Sequence, residues 1–97
     1  MNVLRLTNDE IITLKNSLKR QSKTAELYLF GSRVDDAKRG GDIDLLVVDE
    51  HMVRSQLRHL RMDFCRSFGD QKIDIILDNG SFKEPFHQLV KQQAVRL

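Results

Sequence analysis

The chain has a single cysteine, Cys65, so no internal disulfide can form and no cysteine-based metal site can be assembled. That sparing use of cysteine fits a reducing compartment. The opening Met1-Asn2-Val3-Leu4-Arg5-Leu6 lacks the apolar core of a signal peptide. No stretch approaches the roughly 18 consecutive apolar residues of a membrane span. The expectation is a cytoplasmic protein with no membrane association. A surplus of one charge is also missing: 16 Lys and Arg face 14 Asp and Glu, a net charge of +2. The two signs are interspersed, so there is no basic footprint for nucleic acid. Internal repeats, linkers and low-complexity segments are absent too. The 97 residues make one small domain, 1–97, toward the lower end of what a core can hold together without staples.

What is present reads as alternating helices and strands. Thr7-Asn8-Asp9-Glu10 has the capping-box pattern, and Leu6 and Ile11 are placed for a hydrophobic staple. Ile11, Leu14 and Leu18 share one helical face, which predicts a helix from Asn8 to about Arg20. Ala25 to Phe30 has strand composition and stops at Gly31. Ile43 to Val48 is apolar at every position but Asp44, as expected of a central strand covered on both faces. A second long helix is expected to open at Asp49-Glu50-His51, with Val53, Leu57, Leu60, Phe64 and Phe68 as its core stripe. Gly69 should end it. Lys72 to Leu77 reads as a third strand, Asp78-Asn79-Gly80 as a turn. Pro85 suits the first turn of a last helix, running to about Gln92 and burying Leu89 and Val90. Val95-Arg96-Leu97 closes the chain as a short extended piece. This is an α/β (α+β) layout: a small mixed sheet with helices packed on it.

The chain is organised around Leu27-Tyr28-Leu29-Phe30-Gly31-Ser32-Arg33, a polar crossover, and Asp42-Ile43-Asp44-Leu45-Leu46-Val47-Val48. Alternation along a strand points Asp42 and Asp44 the same way, with Cα atoms roughly 6.6 Å apart. Two carboxylates at that spacing can share hard cations, and magnesium favours few protein carboxylates plus substrate phosphates. Gly31 lets backbone come close to a phosphate, and Ser32 can donate to a phosphate oxygen. Asp74 is a third carboxylate in an otherwise apolar strand. A buried, unpaired charge is costly, so it should be paired, metal-bound or facing a cleft.

Gly31-Ser32-x9-Asp42-x-Asp44 resembles the signature of the DNA polymerase β-like nucleotidyltransferases, and the small size resembles their minimal nucleotidyltransferase branch. The resemblance implies a polymerase β-like core and catalytic, metal-holding roles for Asp42, Asp44 and Asp74. It also implies triphosphate binding at Gly31 and Ser32; the neighbouring Arg33 is a candidate for a further phosphate ligand. Two magnesium ions and ATP would be the cofactor and substrate. The branch is often encoded beside a HEPN-type partner, so the resemblance points to a HEPN-type toxin as partner and acceptor, with this chain as antitoxin in a homo- or hetero-oligomer. The Gly41 that precedes Asp42 stands where many relatives have serine, a change that removes a hydroxyl and leaves the metal ligands intact.

Other readings of the same residues are weaker. No G-x-x-x-x-G-K-[ST] occurs, which excludes a P-loop. An EF-hand would need glycine where Val47 stands. Haloacid-dehalogenase phosphatases also use Asp-x-Asp, but there the hydrophobic strand precedes the pair, and here it follows. His51, His59 and His87 share no ligand spacing and are expected on the surface, as are Asp35, Asp36 and Lys38 in the crossover. Cys65 is expected to pack rather than react. The alternative of another class is a silent binding module that neutralises a partner by contact. Such a module has no reason to keep three carboxylates.

Overall fold

The structure, a computed structural model, describes residues 6–31 and 43–97. The first helix, α1 (Asn8–Gln21), starts as its sequence dictates. Thr7 Oγ1 accepts from the Glu10 N–H at 3.1 Å, and Glu10 Oε1 accepts from the Thr7 N–H at 2.8 Å. Leu14 and Leu18 are buried, and Leu6 and Ile11 join the same cluster.

Strand β1 (Glu26–Phe30) pairs antiparallel with β2 (Ile43–Val48), and β2 pairs parallel with β3 (Ile73–Asp78). A parallel pair needs a crossover, which α2 (Arg54–Phe68) supplies. Helix α3 (Pro85–Gln93) follows, opened by proline, and β4 (Val95–Arg96) adds antiparallel to β1. The sheet order is β3-β2-β1-β4. The mixed sheet and its helices form the expected α+β fold, with β2 inside it.

Alternation on β2 divides the core. Ile43, Leu45 and Val47 pack with Leu14, Leu18, Leu57, Leu60 and Phe64 beneath α1 and α2. Leu46 on the other face packs with Tyr28 and Val90 beneath α3. Buried Ser17 joins α1 to α2 by donating to Asp63 Oδ2 at 2.6 Å, and Arg20 donates to the same oxygen at 2.7 Å. The Ser17 hydrogen bond first, and then Arg20, hold the Asp63 carboxyl below its ordinary range.

Three details differ from the sequence reading. Helix α2 starts at Arg54, because Asp49 caps nothing there and is consumed elsewhere; Gln56 Oε1 instead accepts from the Val53 N–H at 2.9 Å. The stripe of α2 is buried only at Leu57, Leu60 and Phe64, while Val53 and Phe68 at its ends are exposed. On α3, Val90 is buried and Leu89 is exposed, since this short helix offers the sheet a narrow face. Among the described residues no helix is long and apolar enough to cross a membrane.

Candidate active site

Neighbouring strands bring two of the aspartates together. In the parallel register of β2 and β3, Asp44 stands beside Asp74, and across the antiparallel pair it faces Phe30. Adjacent strands lie about 4.8 Å apart, and the shared register puts both side chains on the sheet face that carries α3. Asp44 is half-buried and Asp74 exposed, so Asp74 meets solvent and carries no burial cost.

Gly31, directly after β1, completes this end of the sheet. Its φ is +76°, in the left-handed region that favours glycine. A Cβ there would collide with Asp44 Oδ2 and stand 3.1 Å from Asp44 Cγ. The residue at 31 therefore has to be glycine for two reasons, its own backbone and the carboxylate seated against it. Ser32, Arg33 and Asp42 lie outside the described residues, as do Asp35, Asp36 and Lys38. Among the described residues no three His, Cys, Asp or Glu side chains come together to hold a metal. What is described is a pair of hard oxygen donors beside a glycine that leaves room for a carboxylate. That donor set fits a hard divalent cation such as magnesium.

The opposite ends of β2 and β3 hold a second group of carboxylates that the sequence did not single out. Asp49 accepts from Ser22 Oγ at 2.8 Å, Thr24 Oγ1 at 3.0 Å and the His51 N–H at 3.1 Å. Burial alone would raise its pKa, but these hydrogen bonds, with one from the Met52 N–H, outweigh it and hold the carboxyl below its ordinary value. Asp78 accepts from the Gly80 N–H at 2.7 Å and the Phe82 N–H at 3.1 Å, and its Oδ2 lies 2.7 Å from His87 Nδ1. Burial again pushes up, and the His87 bond with the two backbone donors more than offsets it, so Asp78 also sits low.

His87 Nε2 reaches Glu84 Oε2 at 3.1 Å. The expected surface placement of His87 is therefore wrong: its side chain is 14% exposed and is held between two carboxylates. No spacing rule signalled this, because Asp78 and His87 meet only when α3 folds back onto the sheet. A cleft of about 310 Å³ opens beside them, lined by Asp49, Ser81, Lys83 and Glu84 among others. Its carboxylates already have protein partners, which makes it a joint rather than a catalytic centre. His51 and His59 are exposed as expected, and Cys65 packs against the core.

None of the curated proteins compared with the chain matches it. Residues 11–96 match the family described as nucleotidyltransferase domain. That span contains the glycine turn, both described aspartates and every strand of the sheet. The chain belongs to the nucleotidyltransferase domain family, whose general chemistry is the transfer of a nucleotidyl group.

Proposed function

We propose that this chain is a magnesium-dependent nucleotidyltransferase that moves NMP, AMP from ATP, onto an acceptor hydroxyl and releases pyrophosphate. The observation that carries the reading is the in-register pairing of Asp44 with Asp74 at the end of the sheet where Gly31 is pressed against Asp44. Asp44 and Asp74, together with Asp42, would hold two magnesium ions. When bound, the ions supply activation of the acceptor hydroxyl and neutralisation of charge on the leaving pyrophosphate.

The acceptor oxygen attacks the α-phosphorus in line, and the bond from that phosphorus to the oxygen bridging to the β-phosphate breaks. Asp74, exposed at the sheet end, takes the acceptor proton. Gly31 and Ser32 bind the triphosphate, with Arg33 as a further phosphate ligand. A chain this small has little left with which to build an acceptor pocket, so the acceptor is carried by another protein. By family resemblance that protein is a HEPN-type toxin in the same cytoplasm, neutralised by the modification. The acceptor rests on analogy of size and family rather than on a particular residue.

The test uses ATP labelled at the α-phosphate, magnesium and lysate of the cells that make the protein, with wild type compared against Asp44→Asn. A labelled protein band that requires Asp44 is the expected result, and its mass identifies the acceptor. Label transferred from the γ-position would mean a kinase and overturn the reading. No label from either position would leave a module that acts by contact.

A further inference from the structure

The near balance of charge along the sequence does not hold on α2. This helix carries Arg54, Arg58, Arg61 and Arg66 against a single carboxylate, Asp63. Asp63 turns toward α1, where Ser17 and Arg20 donate to it, and Arg66 adds a longer contact at 3.5 Å. The other three arginines recur at i, i+4 and i+7, which places them on one ridge of the helix. At 1.5 Å per residue that ridge is roughly 10 Å long. All three are exposed. Arg61 Nε donates to the Ile73 carbonyl at 3.2 Å, whereas Arg54 and Arg58 have no hydrogen bond or ion pair among the described residues. The exposed carboxylates on either side in sequence, Glu50 and Asp70, lie beyond the helix ends and pair with none of the three.

The ridge works against the helix that carries it. Like charges one turn apart repel. Arg54 also puts a cation in the first turn, which holds no acidic residue, where the helix dipole favours an anion. Within the chain Arg54 and Arg58 therefore stabilise nothing, and an anionic surface laid against them would offset both costs. Exposed apolar side chains border the ridge: Val53 beside Arg54 is 55% exposed, and Met62, one turn on from Arg58, is 50% exposed. Arginine and methionine are enriched where proteins meet proteins, whereas a phosphate backbone is met by cations and polar groups. A net charge of only +2 also falls short of a nucleic-acid footprint. The ridge has a direction as well. Arg61 meets β3 at Ile73, the residue before Asp74, so the ridge ends beside the candidate active site. Asp74 lies on the opposite sheet face, and β3 is an edge strand, so a partner seated on α2 reaches Asp74 by crossing that edge.

We propose that the Arg54–Arg58–Arg61 ridge docks the acceptor protein through an acidic patch on that protein's surface. A guanidinium takes a carboxylate through two parallel N–H···O bonds, and Arg54 and Arg58 each have that capacity free. Val53 and Met62 supply the apolar border of the contact. That the docked protein is the acceptor rests on the nucleotidyl transfer proposed above; the acidic docking surface itself does not.

Two measurements on the full chain test the surface and the reaction separately. The first is the anisotropy, at low salt, of a fluorescein-labelled helical peptide with glutamates along one face. Wild type should bind it, and Arg54→Glu/Arg58→Glu should bind about tenfold more weakly or worse, because like charges now oppose each other. Lys15→Glu/Lys19→Glu, which reverses two exposed charges on α1, should bind as wild type does, as should Asp44→Asn. Arg54→Glu gives the first turn of α2 the charge its dipole favours, and circular dichroism checks that the double variant is folded. The second measurement is labelling of the acceptor from α-labelled ATP, which the same double variant should slow about tenfold. Labelling as fast in the double variant as in wild type overturns the docking surface and leaves the reaction standing. Peptide binding that needs the two arginines, with no labelling by any variant, removes the reaction and keeps the surface. A wild type that does not bind the peptide, or a double variant that binds it equally well, overturns the proposal. So does a single-stranded RNA of equal charge held more tightly than the peptide by the same two arginines, which would assign the ridge to nucleic acid.

Discussion

The β2–β3 pair carries aspartates at both ends, and the two ends treat them oppositely. At the end of Asp49 and Asp78 the carboxylates are buried, each taking several N–H or O–H donors from the protein, and their pKa values are held low by those donors. At the end of Asp44 and Asp74 the same residue type lies half-buried and exposed, beside a glycine that keeps the backbone out of the way. The carboxylates of Asp49 and Asp78 are filled by donors of the chain and act as a joint, whereas that of Asp74 meets solvent, where a ligand can reach it. The contrast separates carboxylates that hold the sheet and α3 together from the pair beside Gly31, although all four are aspartates on or next to the same two strands.

Substitutions at the two ends should therefore fail in different ways. The largest effect expected is at the open end. Asp74→Asn should lower nucleotidyl transfer by a factor of about a thousand or more, roughly 4 kcal/mol of transition-state stabilisation. The change to an exposed side chain should leave stability within about 0.5 kcal/mol; transfer assays and urea titration on the same preparation read both. Asp78→Ala should do the reverse. It leaves two backbone N–H groups and His87 without their acceptor, at a cost of about 3–5 kcal/mol. The thermal midpoint should fall steeply while the activity of each folded molecule is retained.

Gly31→Ala touches both properties. A non-glycine residue at positive φ costs roughly 1–2 kcal/mol, and the new methyl group displaces the Asp44 carboxylate. Activity should fall further than stability, and a variant with full activity would show that Asp44 does not need its present position. The smallest effect is a pH dependence. Asp49, Asp63 and Asp78 have folded-state pKa values below the unfolded value of about 3.9. Their contribution is fully present above that value and is lost as pH falls through the lower, folded values. The thermal midpoint should be level near neutrality and drop below about pH 4, less steeply in Asp78→Asn.

Much of this contrast was legible in the sequence at the open end and little of it at the closed end. The capping box at Thr7 and Glu10, the proline at the start of α3 and the glycine at the end of α2 are local signals, and each marks the boundary observed. Gly31, Asp44 and Asp74 stood out because a glycine after an apolar strand and charges inside strands break a pattern. That Asp44 and Asp74 share a register depends on sheet order, which no local signal carries. Asp49 looked like the opening of a helix because its partners, Ser22 and Thr24, come from a loop distant in sequence. His87 was misplaced for the same reason. Val53, Phe68 and Leu89 had the right helical phase, but phase gives the direction of a side chain and not how far the sheet extends beneath it.

The sequence has one tyrosine and no tryptophan. Tyr28 is buried on the α3 face of β1, its hydroxyl donates to Glu26 Oε1 at 2.6 Å, and the Lys91 ammonium of α3 sits 4.8 Å from its ring centroid. The whole intrinsic tyrosine emission of the molecule thus comes from the seam between β1 and α3. Glu26 belongs to β1 itself, whereas the Lys91 ammonium reaches the ring only with α3 in place, so that emission changes when the last helix leaves the sheet.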